Sequence, residues 1–240
     1  MMIENLFCDK NLYTSVPCCR HAGAEAADIA PNLTKEHVLT LFSEGQPLQR
    51  FLCSPAQLTE LCVGWLYDEG YIRTMDDVKE LRISADGSTA RVSFEPLQTQ
   101  EMEVFSAFAA INDALCKRAA DILLNGETVH RKTRGTHGCV YVSEDGTEIF
   151  CEDIGRNNAM DKTIGSVLLQ GKAAGQGMLF SSGRVTADIA KKVICAGIPV
   201  LVSKAAVTLD AVYTANRYRL RLAFFADDKR YVLPDESLVL

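Results

Sequence analysis

The chain has no Cys-x-x-Cys pair, only four histidines, no basic N-terminal stretch leading into an apolar run, and no excess of cations. Each absence removes a class of protein. The nine cysteines (Cys8, Cys18, Cys19, Cys53, Cys62, Cys116, Cys139, Cys151, Cys195) are odd in number and unpaired in spacing, which fits neither a disulfide framework nor a zinc ribbon. They read as reduced thiols, several of them small core hydrophobes. His21, His37, His130 and His137 make no convincing metal set, so no zinc or other catalytic metal is expected. The start, Met-Met-Ile-Glu-Asn-Leu-Phe-Cys, has no basic region followed by an apolar run, and no stretch approaches the roughly 18 apolar residues of a membrane span. A cytoplasmic protein without membrane contact is the expectation. With 25 Lys and Arg against 31 Asp and Glu, the net charge of −6 argues against nucleic acid as a partner, since backbone binding needs clustered cations. A single phosphate pocket remains compatible with that charge.

What is present is a chain of 240 residues, 48% hydrophobic, long enough to bury a sizeable core. Residues 1–30 show little periodicity and read as a loose leader, with order beginning near Val38. Residues 31–97 read as a smaller β-rich unit. In it, a hairpin over Val38–Cys53 turns at Glu44-Gly45, and a second over Leu81–Phe94 turns at Asp86-Gly87. Between them Ser54-Pro55-Ala56-Gln57 predicts an N-cap, a first-turn proline and a capping-box glutamine for a helix that Gly70 ends.

Residues 98–240 alternate. One helical face over Gln98–Leu124 is followed by strands at Gly138–Val142 and Glu148–Glu152 and a helix from about Asn157 to Leu169. Strand Met178–Ser181, helix Thr186–Ala196, strand Ile198–Ser203, helix Thr208–Asn216 and strand Leu220–Phe225 complete the series. Strand, helix, strand implies parallel pairing and an α/β class. This order resembles the cytidine-deaminase-like fold, a three-layer α/β/α sheet, here joined to an α+β N-terminal unit.

Two polar knots stand where strands hand over to helices, at the sheet end where ligands collect in such folds. The first is Glu-Asp-Ile-Gly-Arg-Asn-Asn-Ala-Met-Asp-Lys-Thr-Ile-Gly at 152–165, the second Ser-Ser-Gly-Arg at 181–184. Gly155 and Gly183 let backbone approach a ligand. Arg156 and Arg184 can clamp phosphate oxygens, and Asp153, Asn158, Ser181 and Ser182 supply donors or caps. The loop Thr133-Arg134-Gly135-Thr136-His137 adds a hydroxyl and an imidazole, which either bond the ligand or fix the loop. Deaminases of this fold carry His-x-Glu and Pro-Cys-x-x-Cys at the two handovers to hold zinc. Gly-Arg-Asn-Asn-Ala and Ser-Gly-Arg-Val-Thr stand there instead, so deamination is rejected.

On these two knots, together with Thr-Arg-Gly-Thr-His at 133–137, Ala-Gly-Ile-Pro-Val-Leu-Val-Ser at 196–203 and Leu-Cys-Val-Gly-Trp-Leu-Tyr-Asp-Glu-Gly at 61–70, the chain resembles the formate dehydrogenase accessory sulfurtransferase family, FdhD. The resemblance implies a homodimer that binds the molybdenum (or tungsten) bis-guanine-dinucleotide cofactor. It implies sulfur passed from a cysteine desulfurase to that cofactor before insertion into formate dehydrogenase. It also adds a C-terminal cofactor-binding segment, here Phe224, Phe225, Ala226, Asp227, Asp228 and Lys229, with Ala226 and Asp227 where arginine and glycine are expected. Asn157 replaces a family histidine and Arg134 a family glycine. The family's Cys-Gly-x-Cys-Gly loop corresponds to about residues 94–104, which contain no cysteine. Cys18 and Cys19, beside Arg20 and His21, are then the candidate sulfur carriers, because neighbouring cations favour the thiolate. The alternative is a cofactor- or guanine-nucleotide-binding chaperone without sulfur transfer.

Overall fold

The computed structural model describes residues 1–8, 11–23, 25–95, 102–125 and 128–239. Two five-stranded sheets organise it, each with its own core.

The N-terminal sheet contains β1 (Met2–Asn5), the hairpin β6 (His37–Ser43) and β7 (Gln46–Cys53), and the hairpin β8 (Val78–Ile83) and β9 (Thr89–Phe94), in the order β1-β8-β9-β6-β7. Both expected hairpins form, with Gly45 and Gly87 at φ 78° and 70° in their turns. The expectation of a loose leader over 1–30 is corrected. β1 pairs in parallel with β8, β2 (Tyr13–Ser15) pairs with β5 (Asn32–Thr34), and β3 (Cys18–Ala22) pairs with β4 (Glu25–Ile29). These strands are largely exposed on both faces, so they carry none of the alternation by which a half-buried strand announces itself.

The helix of this unit, α1 (Leu58–Asp68), begins later than its cap motif suggests, with Gln57 in the left-handed region at φ 53°. Ser54 does not cap it. Its backbone N–H donates to Asp153 Oδ2 at 2.9 Å and its Oγ accepts from Ile154 N at 3.1 Å, so the second unit takes the motif's serine.

The second sheet holds β10 (His137–Ser143), β11 (Glu148–Asp153), β12 (Gly177–Ser181), β13 (Val200–Ser203) and β14 (Arg221–Ala223), in the order β11-β10-β12-β13-β14. β10 runs antiparallel to both neighbours, and β12, β13 and β14 are parallel. Side chains alternate across it. Cys139 and Tyr141 enter the core shared with α4 (Arg156–Leu169), α5 (Ala187–Cys195) and α6 (Leu209–Tyr218). Val140 and Val142 enter the core under α2 (Asp113–Asn125). The sheet is therefore a middle layer between helices. A short helix, α3 (Val129–Thr133), leads into β10 and lies where only a polar link is expected.

The long helix expected over 98–124 is corrected to α2. Asn112 Oδ1 accepts from Ala114 N and Leu115 N at 3.1 and 3.3 Å, capping the helix at that point. Ahead of it, Phe105 lies outside any helix or strand and packs on the α4–α6 core, its N–H donating to Tyr218 O at 3.1 Å. Residues 98–101 of that expected helix lie outside the described residues.

The units join where α1 crosses α4 backbone to backbone. A Cβ on Gly64 would overlap the carbonyl oxygen of Asp161, and one on Gly165 the carbonyl oxygen of Glu60. Backbone cannot rotate aside as a side chain can, so Gly165→Ala is expected to lower stability by about 2–3 kcal/mol, read from a urea transition. An unchanged midpoint would show that the crossing has slack.

Candidate functional site

At one end of the second sheet, β10 begins while β11, β12 and β13 finish, and both polar knots gather there. The first knot is pinned from within. Asp153 is fully buried, and Lys162, also fully buried, places Nζ 2.6 Å from its Oδ2. Ser54 N donates to the same oxygen, while Gly155 N and Asn158 Nδ2 donate to Oδ1, both at 2.9 Å. Asn158 also donates to Leu52 O at 2.8 Å. Asp153 and Asn158, expected as ligand contacts, are thus spent on holding the handover together and tying it to β7. Lys162 is the residue sequence reasoning missed. Its neighbours on the helix, Asn158, Ala159, Gly165 and Ser166, are small or polar and do not announce a buried position.

With that anchor in place, Gly155 is the N-cap residue of α4 and Arg156 opens it. The Arg156 side chain lies across the second knot, for a Cβ on Gly183 would come within 2.8 Å of Arg156 Cβ. Glycine there is what permits the contact. Arg156 Nε and Asn157 Oδ1 are buried and have no hydrogen-bond partner among the described residues. Unmet polar atoms at a helix start are sites that a polar ligand can satisfy.

His137 sits beside them, its Nδ1 3.4 Å from Ser182 Oγ. Burial, followed by the charges of Arg156, His130 and Arg184, holds its pKa below the ordinary value. The imidazole is therefore neutral at pH 7 and offers hydrogen bonds rather than charge. Ser182 bridges strands, its N–H donating to Gly138 O at 2.9 Å and its Oγ accepting from Gly138 N at 3.0 Å. Ser181 Oγ accepts from Gly183 N at 3.1 Å and is buried, so it shapes the knot. Arg184 is exposed and precedes α5 rather than opening it, since Thr186 is the N-cap residue. Thr136 is buried and donates to Glu152 Oε1 at 3.0 Å, again a loop-fixing role.

The C-terminal segment lies by the ends of β13 and β14. Ala226 N donates to Ser203 O at 3.0 Å and Phe225 N to Ala205 O at 3.2 Å. Phe225 is exposed at φ 49°, its ring centroid 5.1 Å from that of Phe224. Asp227 closes its own turn. Its Oδ1 accepts from Lys229 N and Arg230 N at 2.8 and 2.7 Å, and these bonds hold its pKa below the ordinary value. Asp228 and Lys229 line a cavity of about 500 Å³ with Asp113 and Cys116. Around that cavity Lys117, Lys229 and Arg230 stand against Asp113, Asp227 and Asp228, so its charges balance.

Burial divides the thiols. It pushes Cys53 and Cys139 up to about 12 and Cys116 up to about 11, and raises Cys62, Cys151 and Cys195 as well. Cys8 and Cys19 are exposed and Cys18 half-buried. Among the described residues no group of three His, Cys, Asp or Glu is placed to hold a metal ion, and no helix is long and apolar enough to cross a membrane.

Sheet order and the two strand-to-helix handovers, each with a glycine and an arginine, define an α/β protein with cations at its strand ends. The comparisons with known proteins carry this further. The model of the FdhD/NarQ family matches residues 34–108 and 99–233, and the chain belongs to that family. A "sulfur carrier protein FdhD" from Methanothermobacter thermautotrophicus is 31% identical over 76% of this chain and 81% of the relative. One of the same description from Shouchella clausii is 25% identical over 95% and 97%. A crystal structure assigned as a formate dehydrogenase accessory protein, from Desulfotalea psychrophila, superposes with a TM-score of 0.82 at 22% identity, covering 95% of this chain and all of that one. That likeness is one of fold.

Proposed function

We propose that this chain is a formate dehydrogenase accessory protein that holds the molybdenum (or tungsten) bis-guanine-dinucleotide cofactor at the strand ends and passes to it sulfur from a cysteine desulfurase. Membership of a family whose relatives are named sulfur carriers supports the reading. The observation that carries it is the unmet Nε of Arg156, laid over Gly183 beside Arg184 and a neutral His137. That arrangement suits a pyrophosphate or guanine edge, and the bound cofactor would supply the metal centre that receives sulfur. We read the sheet, with β10 antiparallel inside an otherwise parallel run, as a cytidine-deaminase-like domain, and the sheet order supports that reading. The chain acts as a cytoplasmic homodimer.

Sulfur travels through the β3 hairpin. Cys18 and Cys19 stay accessible, whereas the buried thiols are held protonated and out of reach. A thiolate there attacks the outer sulfur of the desulfurase persulfide. The new S–S bond forms on this chain and the desulfurase thiolate leaves. A second reading, binding and delivery without sulfur transfer, is favoured by the lack of any cysteine in residues 94–104.

Two measurements separate them. Guanosine diphosphate should bind wild type and weaken about tenfold in Arg156→Ala and in Arg184→Ala, as loss of one charge-assisted bond predicts. Unchanged affinity would refute the anion site. Treatment with a desulfurase and cysteine should place persulfide on Cys18 or Cys19 by mass spectrometry. Persulfide on no cysteine would leave the delivery reading alone standing.

A further inference from the structure

Between residues 12 and 35 the chain runs as one antiparallel ribbon. β2 pairs with β5 from Tyr13–Thr34 to Ser15–Asn32, and β3 with β4 from Cys18–Ile29 to Ala22–Glu25. The same register holds between and before them, where Val16 N donates to Pro31 O and Lys35 N to Leu12 O, both at 3.0 Å. At about 3.4 Å per residue, the run from Leu12 to Ala22 makes an arm about 34 Å long. Its root is seated on the second unit, with Lys132 Nζ 5.6 Å from the Tyr13 ring centroid and Thr34 filling the space beside Gly135. Beyond the root, none of the arm's described apolar side chains joins a core. Two strands on their own are marginal in water, so the arm needs a surface to lie on.

Paired residues share a face of the ribbon, which puts Val16, Cys18, Ile29 and Leu33 on one side, with Glu25 near the tip. Ala26, Asp28 and Cys19 lie on the other. A surface that matches the first side is the outer face of the N-terminal sheet. Val38 and Leu52 stand directly opposite each other there, 37% and 48% exposed, while their neighbours Leu39 and Phe51 enter the core. Arg50, also exposed, is the next residue of β7 on that face. This patch borders the first knot, because Leu52 O accepts from Asn158 Nδ2 at 2.8 Å.

Area selects the occupant. One side of the arm, about 34 Å by 10 Å, offers about 300 Å². Two arms laid on each other would bury about 600 Å², too little for a specific interface. Two arms exchanged between copies, each covering an equal area of the other chain, would bury about 1,200 Å², where specific interfaces begin.

We propose that two copies of this chain exchange arms, each laying Ile29 and Leu33 on the partner's Val38 and Leu52, with Glu25 toward the partner's Arg50. The proposal rests on the homodimer reading and names its surface. It also sets Cys18 of one copy beside the first knot of the other, whereas within its own chain that thiol is held about 17 Å out from the arm's root.

Sedimentation equilibrium of the full chain tests it, for wild type, Ile29→Glu, Leu52→Glu and Ala26→Glu, with circular dichroism to check that each fold is kept. Wild type and Ala26→Glu should form equally tight dimers. Ile29→Glu and Leu52→Glu should each weaken the dimer about a hundredfold, since a carboxylate would be taken out of water at the interface. An Ile29→Glu dimer as tight as wild type would overturn the arm exchange and leave the homodimer reading standing. Wild-type affinity in Leu52→Glu alone would overturn the receiving face. Wild type sedimenting as a monomer would bring down both the exchange and the reading it rests on.

Discussion

Asp153→Ala should unfold the chain earlier by about 3–5 kcal/mol. The alanine removes the acceptor for Lys162, Ser54 N, Gly155 N and Asn158 Nδ2 together. Lys162 is then a fully buried ammonium left with the carbonyl oxygens of Ser54 and Glu152 at 3.3 and 3.4 Å, longer contacts to neutral partners. An unpaired buried charge costs far more than the loss of an exposed one. The damage reaches function, because the same aspartate holds Gly155 and hence the start of α4 in place under Arg156. Equilibrium urea denaturation followed by circular dichroism would read the stability. The double variant Asp153→Leu/Lys162→Met should recover much of the loss, since removing both charges leaves nothing uncompensated. If Asp153→Ala alone fell within about 1 kcal/mol of wild type, the pair would not be the anchor described here.

That role explains what was legible in the sequence and what was not. Helices and strands of the second unit announce themselves by apolar period, and each knot was found because glycine, arginine and amides cluster where a strand stops. Which of those side chains face a ligand could not be read. Asp153 and Arg156 look equally like site residues in a string of letters. The choice between them is made by Ser54 and Lys162, one about a hundred residues upstream and the other a turn beyond Asn158 on α4. The same contact took Ser54 from its capping motif and moved the start of α1. The strands of residues 1–30 stayed hidden for a different reason: pairing without burial leaves no hydrophobic signature.

Lys192→Met is expected to cost about 3–5 kcal/mol at neutral pH, and the cost should shrink as the solution is made acid. Lys192 lies between the two units. Its Nζ stands 2.8 Å from Asp161 Oδ1 on α4 and 3.3 Å from Asp68 Oδ2 at the end of α1, with all three side chains buried. Burial, then the charge of Asp161, raises Asp68 well above its ordinary 3.8, and burial raises Asp161 as well. Burial pulls Lys192 down, but the charges of Asp68 and Asp161 outweigh it and lift it above its ordinary 10.5. Native protein therefore binds all these protons more tightly than the unfolded chain. For a raised carboxyl, the stabilisation is complete below the unfolded value and is lost as pH rises through the folded one. For Lys192 it is complete below 10.5 and is lost at higher pH. Methionine removes the charge that lowers both carboxyls, so at neutral pH the pair must take up a proton or stand as like charges without a cation, whereas in acid both are neutral and methionine is only a change of packing. Asp68→Asn, which fixes one carboxyl in its uncharged form, should be close to wild type in acid and gain on it as pH rises. Stability measured from about pH 4 to pH 9 for the three proteins would decide the matter. A Lys192→Met cost independent of pH would mean that the lysine acts by its bulk, and that the junction of the two units is not held by charge.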